Sequence, residues 1–135
     1  MFMIPFHEKF PEIAEKETRC VILTENKHMP AGEYFLLESY CDDLKCDCRR
    51  VFINIQHNGK IVVTIGYGME SLEFHKKWIG DDDLAKDIKG PILELGGVYT
   101  EYAPALLKLF KDVVLKDEIF VELLKRHYAL FKQKR

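Results

Sequence analysis

The sequence has no apolar run of the roughly 20 residues that a membrane-spanning helix needs, and no excess of one charge. Lys and Arg number 20 and Asp and Glu 22, so the net charge of −2 gives no general attraction to nucleic acid or anionic lipid. The apolar N-terminal stretch 1–6 lacks both a basic leader and the length of a signal peptide. We therefore expect a cytoplasmic protein that does not enter a membrane.

Recognised catalytic motifs are also missing. There is no Gly-x-Ser-x-Gly, no His-Glu-x-x-His and no phosphate-binding loop that ends in Gly-Lys-Ser/Thr. The acidic run at 81–83 lacks the alternating spacing and the closing Glu of an EF-hand, and helix capping explains it more simply. The sequence therefore leaves enzymatic activity open and does not favour it.

The composition and the order of patterns indicate an α+β fold. With 47% apolar and 31% charged residues, the 135 residues predict a single domain over 1–135. Residues 1–80 are rich in β-branched and apolar runs, whereas 81–135 carry apolar side chains at helical spacing. We predict an antiparallel meander of four to five strands, followed by C-terminal helices packed on one face of the sheet.

Individual elements follow from local signals. Strands are predicted over 19–24, 33–40, 50–56, 61–67 and 72–78, with a hairpin turn at Asn58-Gly59. A short helix is predicted to start at Pro11, and a second to run from an Asp81 cap to Lys89. A helical region from about 104 onward is one helix or two, divided at 116–117.

Three of the four cysteines lie within eight residues. Cys41, Cys46 and Cys48 form a Cys-x4-Cys-x-Cys segment on an aspartate-rich turn between two predicted strands. Clustered reduced thiols in a cytoplasmic protein favour a zinc site. The alternatives are a redox pair of Cys46 and Cys48, an adventitious disulfide between any two of these cysteines, and simple buried thiols. Cys20 is predicted to lie in the core.

The strand order restricts the fourth zinc ligand. His28 and His57 are predicted at the end of the sheet opposite to the cysteines. His7 precedes the first strand at the cysteine end and is the preferred ligand, whereas His75, a loop aspartate or a water are alternatives. A water would leave an open coordination position for hydrolysis.

Basic residues occur next to the cysteines and at the C-terminus. Arg49 and Arg50 alternate along a strand, so at most one is expected to face the cluster, while an ion pair with Asp42, Asp43 or Asp47 is an equal alternative. The basic end of the last helix is formed by Arg126, Lys132, Lys134 and Arg135. These positive charges favour contact with an acidic partner, or they interact favourably with the dipole at the C-terminal end of the helix. Nucleic-acid binding is not favoured.

The cysteine segment resembles one found in known proteins. Its pattern Tyr-Cys-Asp-x3-Cys-Asp-Cys-Arg-Arg, with segments 30–34 and 124–128, resembles a group of small prokaryotic proteins of unknown function. The resemblance covers most of the chain and implies one intact domain. It implies no activity and no catalytic residue.

Two functions follow from these patterns. The first is a binding or scaffolding protein with a structural zinc, for which a protein partner is preferred over nucleic acid. The alternative is a zinc-dependent hydrolase with an open coordination position, in which Asp42, Asp43 or Glu38 would be the general base. The sequence indicates no oligomeric state.

Overall fold

A computed structural model describes residues 3–133 of the chain. Its strands are β1 (Met3–Pro5), β2 (Arg19–Leu23), β3 (Gly32–Cys41), β4 (Arg50–His57), β5 (Lys60–Gly68) and β6 (Ile92–Leu93). Its helices are α1 (Phe6–Lys9), α2 (Pro11–Glu17), α3 (Leu72–Ile79), α4 (Asp82–Lys89), α5 (Ala103–Asp112) and α6 (Glu118–Gln133).

All described strands form one antiparallel sheet. Strands β2, β3, β4 and β5 follow one another as a meander, and β6 extends the sheet beyond β5. One edge of β3 pairs with two short strands. Its first residues pair with β2 and its last residues pair with β1. The α+β fold and the antiparallel meander predicted from the sequence are therefore confirmed.

Local chemistry explains the turns and the helix ends. Asn58 and Gly59 have φ angles of 52° and 77°, which the tight β4–β5 hairpin needs. The Asp81 carboxylate accepts hydrogen bonds from the backbone amides of Asp83 and Leu84 and caps α4. Asp117 caps α6 in the same way through the amide of Ile119, so the C-terminal region contains two helices.

The prediction of a strand over 72–78 is wrong, because this segment is helix α3. The Ser71 hydroxyl accepts from the Phe74 amide at its start, and Gly80 ends it with a φ of 76°. Along α3, His75 is buried and Leu72 and Ile79, at helical spacing from it, are half-buried, although the run also alternates as a strand would.

Helices cover both faces of the sheet, so the predicted packing on one face is confirmed for the C-terminal helices α5 and α6 and is wrong for α4. The core face is covered by α1, α2, α5 and α6, whose Phe6, Ala14, Phe110 and Leu124 join the core. Helices α3 and α4 pack on the opposite face, which we call the cysteine face. Among the described residues no helix is long and apolar enough to cross a membrane.

Candidate metal centre

The three clustered cysteines lie where β3 turns into β4. Cys41 is the last residue of β3, and Cys46 and Cys48 lie in the connection to β4. Their Sγ atoms are all within 4.8 Å of one another, and all three are free thiols. Cys41 and Cys48 are buried and Cys46 is half-buried. The structure thus brings together the three thiols that the sequence spacing predicted.

The sulfur positions match a thiolate-bound metal closely. A tetrahedral zinc with bonds of about 2.3 Å holds its sulfurs about 3.8 Å apart. Sulfurs within 4.8 Å of one another need only about 1 Å of closure to reach this geometry.

Helix α6 supports the cysteine loop from the core side. The Lys132 ammonium donates to the carbonyl oxygens of Cys41 (2.9 Å) and Asp43 (2.8 Å). The Tyr128 hydroxyl accepts from the Arg49 amide at 3.2 Å. Within the loop, the Cys46 amide donates to the Asp43 carbonyl at 3.1 Å. The loop that carries the thiols is therefore held in place by its own hydrogen bonds and by α6.

Burial controls the protonation of two of the thiols. Removal from water disfavours a thiolate and raises the pKa of Cys41 and of Cys46 above that of a free cysteine. Both are therefore thiols at neutral pH when no metal is bound. A metal ion must displace these protons as it binds.

The two adjacent arginines point in different directions. Arg49 forms an ion pair with Asp47 at 3.0 Å and lies over the Phe74 ring at 4.5 Å from its centroid. Arg50 lies on the cysteine face, donates from Nε to the Ile88 carbonyl at 2.8 Å and faces the Glu94 carboxylate at 3.6 Å. The ion pair with Asp47, one of the expected alternatives, is observed for Arg49, while Arg50 contacts Ile88 and Glu94 on the cysteine face.

The cysteines form one wall of a pocket on the cysteine face. The pocket has a volume of about 360 Å³ between the sheet and helices α3 and α4. It is lined by the side chains of Met3, Cys41, Cys46, Cys48, Arg50, Phe52, Trp78, Ile79 and Ile88. Most of this lining is apolar, and its charged side chain is Arg50, whose guanidinium is paired with Glu94.

The candidate fourth ligands occupy different places. His7 is exposed in α1, and within residues 3–133 the compact group of metal-ligand atoms contains only the three cysteines. His7 therefore stays a prediction. His57 stacks on Tyr34 with ring centroids 4.1 Å apart, near the β4–β5 hairpin and away from the cysteines, as expected.

Cys20 and Glu38 lie elsewhere than the sequence predicted. Cys20 is half-buried in β2 and lies opposite Phe35 on the face away from the core, so it is not a core residue. Glu38, a predicted general base, lies on the core face and accepts hydrogen bonds from Tyr40 (2.6 Å) and His127 (2.7 Å). The strand alternation places Glu38 and Cys41 on opposite sides of the sheet.

A buried polar network on the core face was not predicted from the sequence. His127 is fully buried in α6, with Nδ1 2.7 Å from Glu38 Oε1 and Nε2 2.7 Å from Glu17 Oε1. The Phe6 ring stacks on its imidazole at 4.2 Å, and Arg126 pairs with Glu17 at 2.9 Å. The sequence did contain a signal for this network. His127 occupies a position in the apolar stripe of a helix, and Glu38 occupies a position that faces the core in a strand.

The network favours a protonated imidazole. Burial alone would lower the pKa of His127, but the hydrogen bonds and negative charges of Glu38 and Glu17 outweigh it and raise the pKa. The hydrogen bond from His127, followed by the nearby Arg126, lowers the pKa of Glu17 despite some desolvation. The three side chains form a charged bridge between α2, β3 and α6.

His75 is the other fully buried histidine, and its environment is the opposite of that of His127. Neither of its ring nitrogens has a hydrogen-bond partner within residues 3–133, and its ring packs against Gly68. Burial, followed by the positive charges of Lys89 and Arg50, lowers the pKa of His75. The ring is therefore neutral and contributes no polar contact to the fold.

We expect His75→Leu to raise the free energy of unfolding by about 1 kcal/mol, because it removes a buried unpaired polar group of similar size. The gain should grow below pH 6.5, where the unfolded wild-type chain takes up a proton that the folded ring does not accept. Urea unfolding at pH 7 and pH 5.5 measures both effects. Lower stability together with weaker zinc binding would instead identify His75 as a metal ligand.

Comparison with family models, curated proteins and solved structures yields no match to this chain.

Proposed function

We propose that this protein binds zinc through Cys41, Cys46 and Cys48 and that the metal stabilises the β3–β4 connection. The observation that carries the proposal is the convergence of three thiols to within 4.8 Å on one short loop. Zinc is the metal that thiolate ligands most commonly hold at structural sites in proteins. Three thiolates on Zn²⁺ carry a net charge of −1, and the Lys132 ammonium, which donates to the Cys41 carbonyl, lies close enough to offset part of it.

The metal would join parts of the fold that are far apart in the sequence. Cys41 closes β3 and Cys48 leads into β4, while Lys132 of α6 binds the carbonyl of Cys41. A metal on this loop therefore restrains the end of the sheet and the contact with the last helix. The free energy of metal binding adds to the free energy of folding.

The loop also suggests where a binding or scaffolding protein contacts its partner. Asp42, Asp43, Leu44 and Lys45 at the tip of the loop are exposed, with Leu44 exposed to 43%. A metal fixes the backbone of this tip and lowers the entropy that a partner must overcome. We propose a protein partner for this surface, in keeping with the small net charge of the chain.

Elemental analysis of freshly purified, reduced protein tests the proposal first. We expect about one zinc per chain, and a fall in melting temperature of roughly 5 °C or more when a chelator removes it. Addition of zinc, and not of magnesium, should restore the melting temperature. A metal-free protein whose melting temperature responds neither to chelator nor to added zinc would contradict the proposal.

A further inference from the structure

We propose that the fourth coordination position of the metal accepts a small organic thiol with an apolar body and a carboxylate, bound in the pocket beside the cysteines. The inference rests on the proposed zinc site and adds a ligand class to it. Its geometric basis is that Cys41, Cys46 and Cys48 all line the same pocket. A metal bound to the three sulfurs would therefore border this space.

The protein offers no close fourth donor where the sulfurs meet. Within residues 3–133, no His, Asp or Glu joins the three cysteines in the group of ligand atoms. A tetrahedral zinc with three protein ligands keeps one position for a ligand from solution. Here that ligand would come from the pocket.

The walls of the pocket determine which ligand fits. Phe52 of β4 faces Trp78 and Ile79 of α3 and Ile88 of α4 across the space. A volume of about 360 Å³ lies in the range of small-molecule sites, and apolar walls favour an apolar body. Thiolate is a soft donor that zinc binds well, and a ligand with an apolar body also gains free energy by burial against these walls, which a bound water does not.

Arg50 gives the pocket its polar contact. Its guanidinium is fixed by the Ile88 carbonyl and pairs with the Glu94 carboxylate, but at 3.6 Å this contact is longer than a hydrogen bond, so the terminal N–H groups can still donate to a ligand. A guanidinium binds a carboxylate through charge-assisted hydrogen bonds. A thiol donor, an apolar body and a carboxylate together describe an apolar mercapto acid.

Cobalt(II) in place of zinc allows the fourth ligand to be observed directly. The visible bands of cobalt report the number and type of its ligands, and a non-thiol phosphine reductant keeps the cysteines reduced. We expect 2-mercapto-3-phenylpropanoic acid to change these bands with one-to-one saturation. The same molecule without its thiol, 3-phenylpropanoic acid, should leave them unchanged. Phenylmethanethiol, without the carboxylate, should bind about tenfold more weakly.

Variants locate the ligand. Trp78→Ala removes part of the apolar wall and should weaken binding of the mercapto acid about tenfold, since 1.4 kcal/mol is a factor of ten and burial of a large side chain exceeds this. Leu84→Ala is the matched control, because Leu84 is similarly exposed on α4 and does not line the pocket. Arg50→Lys should weaken the mercapto acid more than phenylmethanethiol.

The outcomes separate this inference from the proposed function. Cobalt binding with bands that no thiol alters would overturn the inference and leave the metal site intact. So would a His7→Ala variant whose bands change in the absence of thiol while His28→Ala matches the wild type, because His7 would then be the fourth ligand. Failure of the protein to bind cobalt or zinc would overturn both proposals.

Discussion

Replacement of Cys48 by Ser should weaken zinc binding by at least about 100-fold and remove most of the thermal stabilisation that zinc provides. A hydroxyl is a much poorer zinc ligand than a thiolate at neutral pH, and the affinity of the site depends on the number of thiolates. Cys48 is 7% exposed, and Ser is smaller and similar in shape, so the metal-free fold should be retained. Competition with a chromophoric chelator measures the affinity, and melting curves with and without zinc measure the stabilisation.

Cys20→Ser is the matched control for this variant. Cys20 is also a free thiol, but it is half-buried in β2 and lies outside the group of three sulfurs. We expect its zinc affinity and zinc-dependent melting temperature to equal those of the wild type. Equal zinc affinity in Cys48→Ser and Cys20→Ser would exclude the loop as the metal site.

The second large effect is expected at His127, far from the cysteines. His127→Ala should lower the free energy of unfolding by about 3–5 kcal/mol, because it leaves the buried Glu38 carboxylate without its cationic partner. The loss of the ring also removes the stack on Phe6. Urea unfolding at pH 6 measures the difference.

The same network makes stability depend on pH in a defined direction. The folded protein raises the pKa of His127 above its unfolded value of about 6.5, so it keeps a proton that the unfolded chain releases. This contribution is fully present below pH 6.5 and is lost as the pH rises through the folded pKa. The difference in stability between wild type and His127→Ala should therefore shrink between pH 6 and pH 8.

His28→Ala provides the control, since His28 is exposed in the loop between β2 and β3. Its stability should follow the wild type at every pH. A His127→Ala variant as stable as His28→Ala, or a stability difference that grows with pH, would contradict the charged bridge.

Local signals in the sequence were sufficient for much of the fold. Asn58-Gly59 predicted the hairpin, Asp81 predicted the start of α4, and Asp117 predicted where α5 and α6 would divide. These signals are reliable because each residue acts on backbone groups within a few positions of itself. The cysteine cluster was predictable for the same reason, since one turn joins all three thiols. Segment 72–78 was assigned wrongly because its apolar residues fit a strand as well as a helix.

Contacts between distant residues could not be predicted in this way. His127 contacts Glu38 and Glu17 across 89 and 110 positions of the chain, and no local pattern relates such residues. Likewise, the pocket beside the cysteines depends on α3 and α4 packing on the cysteine face. The identity of the fourth metal ligand could not be predicted for the same reason, because it depends on which distant residue or solute reaches the three cysteines.

Zinc K-edge X-ray absorption of the zinc-loaded protein tests the central claim most directly. The site predicts a first shell of three sulfur atoms at about 2.3 Å with one further ligand. Cys48→Ser should lose one sulfur from this shell, and Cys20→Ser should lose none. A first shell made only of nitrogen and oxygen, or one that Cys48→Ser does not alter, would contradict a metal centre at the β3–β4 loop.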